Sequence, residues 1–121
     1  MENLDLKCAE LGKQLAEQQG VEETLLTDAL SVLEEQGVYA LFLYLEARGR
    51  QPGKAIIGAC VKVLRKTPTG SPLLATGDVW QALQQLGEDL DKLLFARDLL
   101  RQALVYGRYH VKARSAARGG P

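Results

Sequence analysis

Val38–Leu45, with the sequence VYALFLYL, is the longest uninterrupted apolar run in the chain and spans eight residues. A membrane-spanning helix needs roughly 20 apolar residues, so this run does not predict a membrane protein. As a helix it is apolar on every side, which indicates burial on several faces or contact with a partner chain. The run is therefore the expected centre of a hydrophobic core.

The residues on the N-terminal side of this run predict helices. A first amphipathic helix is expected at residues 4–19, because its apolar residues recur every three or four positions. A second pattern covers residues 22–48, and Gly37 makes it either one kinked helix or two separate helices. No segment longer than a few residues alternates as a strand would. The stripe of the first helix consists of Leu4, Cys8, Leu11 and Leu15.

Breaks and caps divide the C-terminal part of the chain into further helices. Gly49 and Pro52 mark a break, after which Pro52 or Gly53 opens a helix. Residues 67–77 hold two prolines and two glycines and predict a loop that is either mobile or functional. Asp78 is a suitable N-cap for the next helix. The last helix is long, and its apolar face is formed by Leu90, Leu93, Leu94, Leu100, Ala103, Leu104, Gly107 and Val111.

These patterns predict an all-α fold, a compact bundle of about five or six helices with a long C-terminal helix. A single domain is expected at residues 1–114, with a disordered tail at 115–121. The composition, 46% apolar and 25% charged, is ordinary for one soluble domain. The N-terminus is acidic and lacks the apolar core of a secretory signal, so a cytoplasmic protein is expected.

Residues with catalytic or metal-binding chemistry are few. Cys8 and Cys60 are expected to be small buried hydrophobes, and with a single histidine they form no zinc-binding pattern, so no metal and no cofactor are predicted. His110 is expected at the surface, because no nearby carboxylate would orient it as a base. Gly49–Ala55 resembles a phosphate-binding loop but is one residue short and ends in alanine instead of serine or threonine. We therefore predict that the protein is not an enzyme.

The charged residues are unevenly placed, although fifteen bases and fifteen acids give a net charge of zero. Residues 1–36 contain nine acids and two bases, a local charge of −7. Six bases and no acid lie between Glu46 and Asp78, and from Arg97 onward six bases face one acid, a local charge of +5. The sequence thus predicts a charge dipole, with which copies of the protein would stack head to tail.

Four bases of the last helix lie on one stripe, because successive members are four, seven and four residues apart. Tyr109 lies beside them. A basic stripe with a neighbouring ring suits a phosphodiester backbone, where cations release counterions and a ring stacks on an exposed base. The open alternative is an ordinary solvated face with a tyrosine in the core. The predicted nucleic-acid-binding residues are Arg97, Arg101, Arg108 and Lys112, with Arg48, Lys54, Lys62 and Lys66 as a second set.

Two segments resemble the small helical subunit of type III CRISPR effector complexes. Gly37–Ala47, GVYALFLYLEA, is similar to the glycine-led, aromatic-rich helix of that family. Arg101–Tyr106, followed by Tyr109 and Lys112–Ala113, is similar to its closing helix. Neither motif is catalytic. The chain departs from the family's pattern at Gln102, where an acid is usual, at Gly107, where leucine is common, and at Tyr109, which takes a tryptophan position.

The resemblance covers about residues 22–113 and implies a non-catalytic bundle present in several copies, stacked beside the guide-RNA backbone subunits. Its basic faces would contact the guide RNA and target RNA backbone without reading bases. The implied partners are these RNAs, other subunits of the CRISPR ribonucleoprotein complex and further copies of the protein, and no membrane is implied. The competing hypothesis is a helical adaptor that binds only protein, through Val38–Leu45 or the long last helix.

Overall fold

Six helices and no strand are present in residues 3–48 and 51–119, the part of the chain that this computed structural model describes. The predicted all-helical bundle with a long C-terminal helix is confirmed. Gly49 and Arg50, at the predicted break, and Gly120 and Pro121, in the predicted tail, lie outside the described residues. The helices are α1 (Leu4–Glu17), α2 (Glu23–Gln36), α3 (Val38–Ala47), α4 (Gln51–Leu64), α5 (Val79–Gly87) and α6 (Leu90–Gly119).

The apolar run of the sequence forms α3, which packs against α2, α4, α5 and α6. Its side chains Val38, Leu41, Phe42 and Leu45 are buried, as expected for the centre of the core. Two of its apolar side chains nevertheless face outward, since Tyr39 is 37% exposed and Leu43 is 48% exposed. The helix is therefore mostly core and has one solvent-facing apolar side.

Gly37 breaks the chain into two helices instead of kinking one. Its φ of 103° and ψ of −174° belong to a backbone region that only glycine adopts without strain. The Gly37 amide donates to the carbonyl of Leu33 at 3.0 Å, and the Gly37 carbonyl accepts from the amide of Leu41 at 3.1 Å. The same residue therefore closes α2 and opens α3.

The long helix α6 is the element along which α1 and α2 pack. α1 runs parallel to it, because the Cys8 thiol donates to the Leu99 carbonyl at 3.6 Å while Arg114, further along α6, reaches the carbonyl of Ala16 at 2.7 Å. α2 runs antiparallel to it, with the end of α2 near Arg97 and its start near Lys112. The first and second helices thus lie side by side with the last one.

Two glycines allow α1 and α6 to approach closely. A Cβ atom at Gly12 would lie 2.6 Å from the Cβ of Tyr106 and 2.7 Å from the Ala103 carbonyl oxygen, closer than real Cβ contacts. A Cβ at Gly107 would lie 3.3 Å from the Gly12 carbonyl oxygen. Because both positions lack a side chain, the two backbones come into direct contact.

The apolar face predicted for α6 is confirmed in its second half and is wrong at its start. Leu100, Ala103, Leu104, Gly107 and Val111 are buried, whereas Leu90 and Leu94 are exposed. The helix also continues to Gly119 instead of ending at Arg114, which agrees with the high helix propensity of alanine at residues 116 and 117. Disorder of the tail at 115–121 stays a prediction.

The segment between α4 and α5 is packed against the bundle at several points. Leu73 and Leu74 are buried, and Arg65 donates through Nε to the Ala75 carbonyl at 3.2 Å and through Nη2 to the Gly77 carbonyl at 2.6 Å. Asp78 caps α5 as predicted, since its carboxylate accepts from the Gln81 amide at 3.0 Å. Mobility of the 67–77 loop stays a prediction.

No helix of residues 3–48 and 51–119 is long and apolar enough to span a membrane. Both cysteines are buried in the core, as the sequence predicts. Burial raises the pKa of the Cys60 thiol to about 12. Burial, and secondarily the charge of Asp5, raises the pKa of the Cys8 thiol.

The glycine contact between α1 and α6 is tested by a pair of substitutions. Gly12→Ala forces a methyl group into the backbone of α6, so we expect it to lower the free energy of unfolding by about 2 kcal/mol or more in urea titrations. The matched control is Gly58→Ala in α4, where an added Cβ meets nothing within 4 Å. We expect this control to gain about 0.5–1 kcal/mol from helix propensity. Equal effects of the two changes would contradict the contact.

The buried thiols give a second prediction. Because the thiolate is the reactive species and its fraction falls as the pKa rises, both cysteines should resist iodoacetamide at pH 8 while the protein is folded. Labelling followed by mass spectrometry should find both modified only when urea unfolds the chain. Rapid modification of either thiol in the folded protein would contradict its burial.

Candidate nucleic-acid interface

The basic stripe of α6 faces α2, and its first member caps that helix. Arg97 donates through Nη2 to the carbonyl oxygen of Glu34 at 2.8 Å. This carbonyl belongs to the last turn of α2, where backbone oxygens have no partner within the helix and the helix dipole is negative. The Arg97 guanidinium therefore stabilises the end of α2 and is partly buried in doing so.

Two further cations of the stripe meet one carboxylate at the start of α2. The Glu23 carboxylate lies 3.4 Å from Lys112 Nζ and 3.8 Å from Arg108 Nη2. All three side chains are partly exposed, so each pair contributes at most about 1 kcal/mol. The Arg108 Nε is buried without a hydrogen-bond partner among the described residues. Arg108 is therefore paired only loosely.

Arg101 lies between these contacts along the same stripe. Its side chain is half-buried, and no hydrogen bond or ion pair joins it to another residue in the described ranges. Tyr109, the ring expected to stack on a base or to lie in the core, is 63% exposed. His110 is exposed, as the sequence predicts.

The acidic and basic segments on which the predicted charge dipole depends are packed against one another in part. The acidic helices α1 and α2 pack along the basic helix α6, with Glu23 against two of its cations. Complementary charges therefore lie beside one another where the start of α2 meets α6, and the overall dipole stays a prediction. Head-to-tail stacking of copies stays a prediction.

A second arginine of α6 has a capping role that the sequence reasoning missed. Arg114 donates through Nη1 to the Ala16 carbonyl oxygen at 2.7 Å, at the end of α1. The signal was present, because neither α1 nor α2 has a basic residue in its own last turn. At both helix ends the cation that donates to a last-turn carbonyl comes from α6.

The second predicted set of bases is divided between two places. Arg48 is occupied locally, since its Nη1 donates to the Tyr44 hydroxyl at 3.0 Å and its guanidinium carbon lies 5.7 Å from the Tyr44 ring centroid. Lys54, Lys62 and Lys66 are exposed and have no ion pair among residues 3–48 and 51–119. The free cations of the set therefore lie on α4 and just after its end.

Lys62 and Lys66 border a depression between α4 and α1, and Lys7 borders it from the other side. The depression has a volume of about 200 Å³, and three lysines and one glutamate are among the residues that line it. We call this the α1/α4 basic face. Its residues are Lys7, Glu10, Leu11, Gln14, Lys62, Val63, Lys66 and Thr67.

Lys7 was not among the predicted site residues, because it lies in the most acidic part of the sequence. The spacing of residues in α1 could have indicated its position: Lys7, Glu10 and Gln14 are three and four residues apart and so share one face of the helix. The contact of this face with α4 is a tertiary contact, and the helical periodicity of the sequence does not predict it.

Comparison of the chain with models of known protein families, with curated proteins and with solved structures finds no match.

The capping role of Arg97 is tested against its neighbour on the same stripe. Arg97→Met removes the cation from the end of α2, so we expect a loss of about 1 kcal/mol in the free energy of unfolding. Arg101→Met removes the same charge at a position with no partner among residues 3–48 and 51–119, and we expect a change within about 0.5 kcal/mol. Urea titrations of both variants in one buffer compare their free energies of unfolding. Equal losses would show that Arg97 does not act through Glu34.

Proposed function

We propose that the protein is a non-catalytic subunit of an RNA-guided CRISPR effector complex and that it contacts the nucleic-acid backbone through the α1/α4 basic face. The observation that carries the nucleic-acid part is the convergence of Lys7, Lys62 and Lys66 around one depression. Lys62 and Lys66 are exposed without an ion pair in the described residues, so they are available to phosphate.

The chemistry of this face favours backbone contact over base reading. Ammonium groups on flexible stems act as point charges toward phosphate and release counterions when they bind. Lys54 lies eight residues before Lys62 on α4, about 12 Å along the helix axis and about 80° around it, so it adds an exposed cation to the same helix outside the α1/α4 basic face. A strand lying along α4 would meet several cations in turn. Such contacts position a nucleic acid without selecting its sequence.

The α6 stripe has a smaller part in this proposal than its sequence suggests. Arg97 caps α2, and Lys112 and Arg108 lie against Glu23. A phosphate would have to displace these contacts before the cations could bind it. Arg101 has no partner among the described residues, so RNA could bind this member of the stripe without breaking a hydrogen bond or ion pair there.

The placement within a CRISPR complex is supported by the resemblance alone. The two similar segments form α3, which Gly37 opens, and the second half of α6. The implied bundle of five or six helices agrees with the six described helices. Stacked copies, neighbouring effector subunits and a cytoplasmic location follow from the same resemblance and are parts of the proposal.

A protein-binding adaptor without nucleic-acid affinity is the second candidate. The observation that favours it is the solvent-facing apolar side of α3, where Tyr39 packs edge-on against Trp80 of α5 with ring centroids 5.9 Å apart. Tyr39 and Leu43 are four residues apart, a spacing that presents both to one partner surface. An adaptor of this kind would bind RNA weakly and without dependence on the lysines of α4.

The proposal is tested by RNA binding of two variants that each lose three positive charges. One is Lys54→Gln/Lys62→Gln/Lys66→Gln, and the matched control is Arg101→Gln/Arg108→Gln/Lys112→Gln on α6. Fluorescence anisotropy with single-stranded RNA across a salt titration gives the slope of log K against log salt. Each lost phosphate contact lowers the slope by about 0.7, so the α4 variant should lose about 2. We expect the α6 control to lose less.

Three other outcomes would count against the proposal. An equal loss in both variants would indicate that net charge, not the α1/α4 basic face, governs binding. A larger loss in the α6 control would assign the site to the stripe. Absence of wild-type binding at low salt would favour the adaptor. Circular dichroism of each variant verifies that the helical fold persists.

A further inference from the structure

The face of α6 that carries its basic stripe continues toward the start of the helix as an apolar surface. Leu94 lies three residues and Leu90 seven residues before Arg97, so both share the face of Arg97 and Arg101. Where that face meets α2, three of its four cations find partners there. Where α2 is absent, the face consists of leucine.

The two leucines are exposed because α2 ends too early to cover them. α2 ends at Gln36, and Arg97 reaches its last turn through the Glu34 carbonyl. Residues that precede Arg97 on α6 therefore extend past the end of α2, because the two helices are antiparallel. Leu90 is 66% exposed and Leu94 is 47% exposed. Leu90 and Leu94 are four residues apart on α6 and thus form an exposed apolar pair beyond the end of α2.

The charges near these leucines are predominantly acidic. Glu88 and Asp89 directly precede Leu90, Asp91 follows it, and all three are exposed. Glu34 and Glu35, at the end of α2, are exposed as well. The bases of this region are Arg97, the half-buried Lys92 and Arg65, which lines one depression together with Asp89 and Lys92. The guanidinium of Arg97 is held by the Glu34 carbonyl, and that of Arg65 by the carbonyls of Ala75 and Gly77. Five carboxylates thus accompany two apolar anchors.

We propose that Leu90 and Leu94 form a docking site for a cationic amphipathic helix of another protein. A partner helix with apolar residues three or four positions apart would lie on the two leucines in the place that α2 leaves empty. Its lysines or arginines would meet the surrounding carboxylates, which select for a basic partner and speed its association. The same carboxylates repel a phosphate backbone, so this surface is distinct in chemistry from the α1/α4 basic face.

The inference is independent of nucleic-acid binding. The leucines lie on α6 and the basic face on α1 and α4, so the two surfaces share no residue. A variant without the leucines should therefore bind RNA as the wild type does, if the wild type binds it. The acidic residues around the leucines favour a basic partner. A second copy of the protein could therefore bind this surface only through one of its own basic faces.

Binding of synthetic peptides to the full chain tests the site. The probe is a labelled amphipathic helix of leucine and lysine, and its control has glutamate in place of lysine. We expect the lysine peptide to bind the wild type and to bind Leu90→Ser/Leu94→Ser at least about tenfold more weakly, because the variant loses both apolar anchors. The matched control is Leu6→Ser on α1, a leucine 53% exposed, which should bind as the wild type does.

Each other result would overturn the proposal. Equal binding of the glutamate peptide would remove the charge selection, and equal binding by Leu90→Ser/Leu94→Ser would place the site elsewhere. No measurable binding of the lysine peptide to the wild type would reject a cationic helix as the occupant. Sedimentation that shows self-association, lost in the serine variant, would make a second copy the occupant. Both variants change exposed positions, so circular dichroism should show unchanged helix content.

Discussion

The close approach of α1 and α6 at Gly12 and Gly107 is the contact on which the other features depend. With α1 held parallel against α6, Arg114 reaches the end of α1 and the Cys8 thiol reaches the Leu99 carbonyl. The opposite side of α1 then presents Lys7 toward α4. A bulkier residue at either glycine would separate the helices and move both sets of groups.

The charges of the protein are arranged by this packing more than by their order in the sequence. Two arginines of α6, Arg97 and Arg114, donate to carbonyls at the ends of α2 and α1, whose own last turns contain no basic residue. The lysines of α4 have no such role and remain in solvent. Two surfaces result, one basic between α1 and α4 and one acidic and apolar at the start of α6. Their chemistry suits different partners.

Local patterns in the sequence were sufficient for most of the fold but not for the sites. The apolar run at Val38–Leu45 and the cap at Asp78 are short-range signals, and both predictions are confirmed. The stripe of α6 was interpreted as a solvent-facing surface, because periodicity identifies a charged face but not the element packed on it. Leu90 and Leu94 fit the apolar face predicted for α6, but periodicity does not show that they lie beyond the end of α2, which Gly37 sets. Lys7 joined the basic face only through the contact of α1 with α4.

The central claim is that the free lysines beside α1, and not the stripe of α6, form the surface for nucleic acid. Photo-crosslinking of RNA containing 4-thiouridine to the wild-type protein, with the linked peptides identified by mass spectrometry, tests it most directly. We predict links in the peptides of α1 and in the segment around Lys62 and Lys66. Tyr109, which is exposed on α6 beside the stripe, would react readily with a nucleotide bound there. Links concentrated at residues 101–112 would contradict the account.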